Sequence, residues 1–182
     1  MAGTRRRGRN RDDLRDRVLL AMLPNVVFDG WTRRALEDSV RSGEVTPEEA
    51  LRAFPDGVGQ VLDHFADWAD RRMAAAVAEE REACDALRVR DRIARTVRLR
   101  LEALEPHREA LRRALAWYAV PFRQPAAARI TWRTADVAWR LAGDTATDFN
   151  HYTKRALLSG VWVATLAFWL ADRSEGREAS WR

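Results

Sequence analysis

Apolar residues recur every three or four positions along most of the chain. No stretch alternates with a period of two, so the elements they predict are helices. Leu14, Val18 and Met22 mark a first helix, which Pro24 is expected to end or kink. Thr32 can cap a second helix running to about Ser42, with Gly43 as its stop. Thr46-Pro47-Glu48-Glu49 starts a third, with Thr at the cap, Pro at the first helical position and Glu placed to close a capping box. Pro55 keeps that helix short. Three short helices separated by Gly-containing turns have the pattern of a helix-turn-helix head.

Longer helices follow. Leu62, Phe65, Trp68, Met73 and Val77 fall on one stripe of a helix expected from about Val58 to Leu87. Ile93, Val97, Leu101 and Leu104 form another, closed by Pro106, and Leu111, Leu115 and Tyr118 a third that stops before Pro121. Beyond a linker from Pro121 to Pro125, Ile130, Val137 and Leu141 define a helix with Trp132 and Trp139 on one side, ending at Gly143. Thr145 with Asp148 is a second candidate capping box, ahead of a last long helix to about Asp172. The expected fold is therefore all-α: a basic disordered tail (1–11), a helix-turn-helix-like head (12–56) and a larger helical body (57–182).

Charge changes this picture only at one end. Arg5, Arg6, Arg7, Arg9 and Arg11 supply five of the 32 basic residues with no acid among residues 1–11, which leaves 27 basic against 27 acidic residues thereafter. The net charge of +5 thus belongs to the tail and the body is neutral. The tail has neither the apolar segment of a signal peptide nor the Ser-rich amphipathic character of a transit peptide. Cys84 is alone, so no intramolecular disulfide forms and a reducing interior suits the chain. The longest apolar run, Ala156 to Ala171, is shorter than the roughly 20 residues needed to cross a bilayer. A cytoplasmic protein is expected, with any membrane contact peripheral and on the inner face.

Reactive groups are scarce. Of His64, His107 and His151, none sits in Glu-x-x-His or His-Glu-x-x-His, and a single cysteine cannot build a thiolate zinc site. There is no Gly-x-Ser-x-Gly turn and no Gly-rich phosphate loop. His64, beside Asp63, is expected at a polar position next to an apolar stripe, and His107, after Pro106, in a capping or solvent-facing role. The residues assign no catalytic group, metal or cofactor. A DNA reader would place the first turn of its second motif helix at the bases, and here that turn carries Glu48 and Glu49, offset only by Arg52. Specific DNA binding is not expected from that turn. A ligand-sensing DNA-binding regulator nevertheless stays open as the second reading, with the Arg tail supplying nonspecific affinity.

The carboxy-terminal body is the informative part. Eight tryptophans give this chain an unusual supply of large apolar walls. From Leu157 to Leu170 the last helix is apolar on all sides, so it is either enclosed or lines a cavity. Where it lines a cavity, Trp162, Leu166 and Trp169, with Val161 and Thr165, are the candidate walls; a plainly packed core is the other outcome of the same spacing.

Residues Gly143-Asp144-Thr145-Ala146-Thr147-Asp148-Phe149-Asn150-His151-Tyr152-Thr153-Lys154-Arg155 resemble the signature block of the lipid-binding accessory proteins of ubiquinone biosynthesis. Phe28-Asp29-Gly30-Trp31, His64-Phe65-Ala66-Asp67, Ala171-Asp172-Arg173-Ser174-Glu175 and Ser180-Trp181-Arg182 carry the resemblance further. It implies a fold similar to tetracycline-repressor-type regulators with the DNA-reading role lost, and a bound isoprenoid or quinone lipid. It also implies a demethoxyubiquinone hydroxylase as protein partner, and a homodimer. The family docks the hydroxylase through the signature block, which points to Asp148, His151, Tyr152 and Arg155, with Trp139 completing the patch. Asp148, Tyr152 and Arg155 lie on one helical face by steps of four and three. Two departures stand out. His151 occupies a position that is usually Trp, and the family continues past Trp181 into an amphipathic helix thought to meet the membrane.

Overall fold

The computed structural model describes residues 2–145 and 149–181, with residues 2–10 described by their backbone alone. All regular elements among the described residues are helical. They group into two compact units, Met1–Trp68 with Glu109–Ala119, and Ala69–Arg108 with Val120–Arg182.

The first unit contains α1 (Ala2–Asp29), α2 (Arg33–Arg41), α3 (Pro47–Ala53), the first half of α4 (Val58–Glu79) and most of α7 (Arg108–Tyr118). Its boundaries are set by local chemistry. Gly30, at φ +70, ends α1 with its amide donating to the Val26 carbonyl. Thr32 accepts from the Ala35 amide, and Thr46 and Glu49 form both halves of the capping box. Pro24 does not end α1. Met22, Leu23 and Val26 are all buried, and this burial carries the helix past the one hydrogen bond a prolyl nitrogen cannot donate. The helix also begins at Ala2, so the Arg-rich segment is helical in its backbone. Trp31 joins the unit together: its indole N–H donates to the Ala110 carbonyl at 2.8 Å, and its ring lies 5.2 Å from that of Phe65. His64 is buried rather than at a polar margin, because Asp16 of α1 reaches its Nε2 at 2.7 Å. The residues after 56 belong with this head because Val61, Leu62 and Phe65 are part of its buried set.

The second unit contains the rest of α4, α5 (Arg81–Ala86), α6 (Val89–Leu104), α8 (Gln124–Leu141) and α9 (Phe149–Ala171). Short 3-10 turns cover Glu105–His107, Pro121–Arg123 and Glu175–Trp181. The single helix expected from Val58 to Leu87 is interrupted at Glu80, whose carboxylate accepts from Nε and Nη2 of Arg95 at 2.8 and 2.5 Å. Met73, Ala135, Ala138 and Leu158 make the apolar centre, with Ile93 and Val97 against it. A buried ion pair crosses this centre: Arg100 donates to Asp70 at 2.8 Å, and the Thr134 hydroxyl donates to the same carboxylate at 2.9 Å. With Arg133 at 3.4 Å as a third partner, the oxygens of this carboxylate are satisfied, which a buried charge requires. His107 sits half-buried in its 3-10 turn; burial and the charge of Arg72 hold its pKa below the usual imidazole value.

Candidate functional site on the last helix

The candidate residues lie on α9 and the turn before it. Gly143, at φ +88, closes α8 with two bonds, its own amide to the Arg140 carbonyl and the Asp144 amide to the Trp139 carbonyl. At its far end α9 is capped from outside. Arg108 Nη2 donates to the carbonyls of Trp169, Leu170 and Asp172 at 2.8, 2.7 and 2.9 Å, where a helix end needs donors from outside. Beyond that cap, the Asp172 carboxylate accepts from the amides and hydroxyls of both Ser174 and Ser180. The Ser174 hydroxyl contributes most to holding this carboxyl well below the usual carboxylate range, with Ser180 next.

The five lipid candidates do not share a surface. Trp162, Leu166 and Trp169 belong to a buried ridge with Arg155 and Leu158. Val161 is 49 % exposed on another face, and Thr165 is half-buried. The inner face packs on the apolar centre of the unit, and cations on other elements lie against its indoles. The Arg100 guanidinium lies 4.6 Å from the Trp162 ring centre, and that of Arg108 lies 5.3 Å from Trp169. The space beside Trp162, bordered by Met73, Val97 and Leu158, measures about 10 Å³. That is room for about one water and not for a lipid chain.

The docking candidates divide in the same way. Asp148 lies outside the described residues. Tyr152 is 61 % exposed, with the His151 ring edge-on at 5.1 Å and the Trp132 ring at 6.3 Å. Trp139 is half-buried, donating its indole N–H to the Lys154 carbonyl at 3.1 Å. Arg155 is not on the exposed face at all. It is 2 % exposed, and it donates to Asp136 at 2.6 Å, to Asp144 at 3.1 Å and to the His151 carbonyl at 3.1 Å. Its work is to fasten the Gly143–Asp144 turn to the start of α9.

The surface that sequence reasoning missed is the outer side of α9. Phe149, Leu157, Val161, Val163 and Phe168 are all exposed there, and no charged residue interrupts the helix from Ala156 to Ala171. Leu157, Val161, Ala164, Phe168 and Ala171 follow the i, i+4, i+7, i+11, i+14 spacing of a second apolar stripe. That spacing was the available signal, since an all-round apolar helix with only one covered side must show the other. Phe149 is also exposed at the start of α9, where the Trp132 ring of α8 lies 6.3 Å from that of Tyr152.

This arrangement defines a class: an all-α protein whose carboxy-terminal helices offer an aromatic and apolar surface. Among the described residues there is no cluster of three or more His, Cys, Asp or Glu that could hold a metal ion. No helix among them is long and apolar enough to cross a membrane. Residues 124–182, which include α8 and α9, match the COQ9 family model. Over 94 % of its length the chain is 31 % identical to the ubiquinone biosynthesis protein COQ9, mitochondrial, of Homo sapiens, and 31 % and 29 % identical to the proteins of that name from Rattus norvegicus and Bos taurus. The chain is thus a homologue of the COQ9 proteins. It spans 55 to 56 % of the length of these relatives.

Proposed function

We propose that this chain serves ubiquinone biosynthesis as a non-catalytic, lipid-binding accessory protein. It takes an isoprenoid or quinone lipid against the outer side of α9 and presents it to the demethoxyubiquinone hydroxylase, which docks beside Tyr152. The observation that carries the reading is the charge-free exposed face from Ala156 to Ala171, in a chain where charged residues make up 32 % of the total. Contiguous exposed apolar area of this kind marks a lipid or protein contact on a soluble surface. The family named by the relatives supplies the pathway, and the small space next to Trp162, with room for about one water, favours a contact on the outer side over that one. A DNA-reading role is the weaker reading. Glu48 and Glu49 occupy the first turn of α3, and Glu49 is engaged by Thr46 and Arg17.

The test is organic extraction of the purified chain followed by mass spectrometry, repeated on Leu157→Glu and Val161→Glu. A quinone or isoprenoid lipid in the wild type, depleted in both variants, is the expected result. No such lipid in the wild type, together with a dimer that both variants convert to monomer, would make the face a contact between two copies and would end the lipid reading.

A further inference from the structure

The second half of α1 is apolar on both of its sides. No charged residue lies between Arg17 and Asp29. Val18, Leu19, Met22, Leu23 and Val26 form the buried side. On the other side Leu20, Pro24, Val27 and Phe28 follow the i, i+4, i+7, i+8 spacing of one helical stripe. All four are exposed, Leu20 and Val27 by about two-fifths and Phe28 by 82 %. Single exposed apolar residues are ordinary on a protein surface, whereas a contiguous row of four marks a contact. The row belongs to the first unit and shares no residue with the α9 surface.

Two features decide what covers it. The first is backbone chemistry. In a regular helix the amide of residue 24 donates to the carbonyl of Leu20, and a prolyl nitrogen has no proton to donate. Leu20 and Pro24 both lie on the exposed side, so the carbonyl that lacks its helical donor faces a donor from outside. An acceptor set within an apolar row suits a long side chain that carries N–H groups on an apolar stem, which describes Lys and Arg.

The second is charge. Leaving aside residues 1–11, the first unit holds thirteen acidic against eight basic residues. The arginines of residues 1–11 stand roughly 13 Å or more from Leu20 along the helix, beyond the Debye length of about 8 Å at physiological salt. Nearer the row, Arg17 is paired with Glu49, and Arg34 lies 3.4 Å from Asp29, so neither leaves an uncompensated positive charge. An anionic lipid surface meets this acidic unit unfavourably, and so does the same unit of a second copy. A cationic partner is drawn to it.

We propose that the exposed side of α1 docks a cationic amphipathic helix of a partner protein. Leu20, Val27 and Phe28 take its apolar stripe, and a Lys or Arg beside that stripe donates to the Leu20 carbonyl. The row is roughly 12 Å long, the length of about two turns of such a helix. This contact lies beyond the lipid and hydroxylase roles of α9 and does not rest on them.

The experiment measures fluorescence anisotropy of a labelled eighteen-residue Leu/Lys peptide, with its leucines on one helical stripe, titrated with the full chain. A Leu/Glu peptide of the same pattern is the comparison. Saturable binding of the Leu/Lys peptide is expected, with affinity at least tenfold weaker in Phe28→Ser and within twofold of wild type in Leu157→Glu on α9. Pro24→Ala guards against loss of fold. It restores the amide donor to the Leu20 carbonyl, so Tm should rise while affinity falls at least threefold. Absence of saturable binding, or equal binding of the Leu/Glu peptide, would overturn the proposal. So would wild-type affinity in Phe28→Ser or Pro24→Ala, or a tenfold loss in Leu157→Glu. Two further results would reassign the row and equally end the proposal. Sedimentation showing self-association that Phe28→Ser abolishes would make it a contact between copies. Binding to phosphatidylglycerol vesicles that Phe28→Ser abolishes would make it a lipid contact.

Discussion

At the scale of single residues, burial decides what the charged groups can do. Arg155 sits on the signature face by helical spacing, yet its guanidinium is consumed by Asp136, Asp144 and a backbone carbonyl. Removing one member of a buried ion network leaves the others uncompensated, so Arg155→Ala should cost about 3–5 kcal/mol of stability. Chemical denaturation would read this directly, and any loss of partner binding in that variant should follow the loss of folded protein. His107 gives the pH-dependent counterpart. Its pKa in the folded chain lies below the ordinary value of 6.5, so the unfolded chain binds the extra proton first as the pH falls. Stability should therefore decline on acidification from about pH 6.5 downward by a contribution that His107→Gln lacks. Denaturation midpoints of both proteins at pH 7.5 and 5.5 check it, and an equal decline in the two would assign the loss to other groups.

At the scale of elements, what was readable in the sequence was whatever is fixed by neighbours in the chain. Thr32, Thr46 with Glu49, and Gly143 set helix ends through bonds to residues two to five positions away, and these were legible as caps and stops. Pro24 does not end the helix, because the lost bond is outweighed by Met22, Leu23 and Val26, whose burial depends on other helices. The inner face of α9 was illegible for the same reason. With apolar residues all round, nothing in the helix itself separates Trp162 from Val161, and the distinction comes from distant elements, among them Met73, Val97 and Ala138 beside Trp162 and the cations Arg100 and Arg108. The turn before α9 is the sensitive joint. A side chain at position 143 would be forced into a left-handed conformation, with its Cβ 3.4 Å from the Arg92 guanidinium. Arg92 also donates to the Ala142 carbonyl, so it has little freedom to retreat. Gly143→Ala should destabilise the chain by on the order of 1–2 kcal/mol, while Gly160→Ala, with open space around it, should not destabilise it. Thermal melts of the pair provide the comparison.

At the scale of the molecule, the division of labour on α9 determines how binding can be lost without loss of fold. The ridge of Leu158, Trp162, Leu166 and Trp169 belongs to the core, so substitutions there report packing and not recognition. The outer residues report recognition. Tyr152 is the decisive case among them, because it is well exposed and its described ring contacts are with His151 and Trp132, at 5.1 and 6.3 Å. Exposed aromatics grouped in this way are the usual anchors of a protein interface, each contributing roughly 1–3 kcal/mol to binding when they are central to it. Their truncation at a surface changes stability by only about 0.5 kcal/mol. On the proposed function, Tyr152→Ala and Trp132→Ala should therefore weaken binding to the demethoxyubiquinone hydroxylase by about 1–3 kcal/mol each. Tm should change little for Tyr152→Ala and show some loss for Trp132→Ala, whose ring is only 37 % exposed. Because the two rings are neighbours, the double variant should lose less than the sum of the single losses. Calorimetric titration of the hydroxylase into the three variants makes the measurement. Full additivity would mean that the rings act at separate contacts, and undiminished binding in Tyr152→Ala would remove the docking surface from this end of α9.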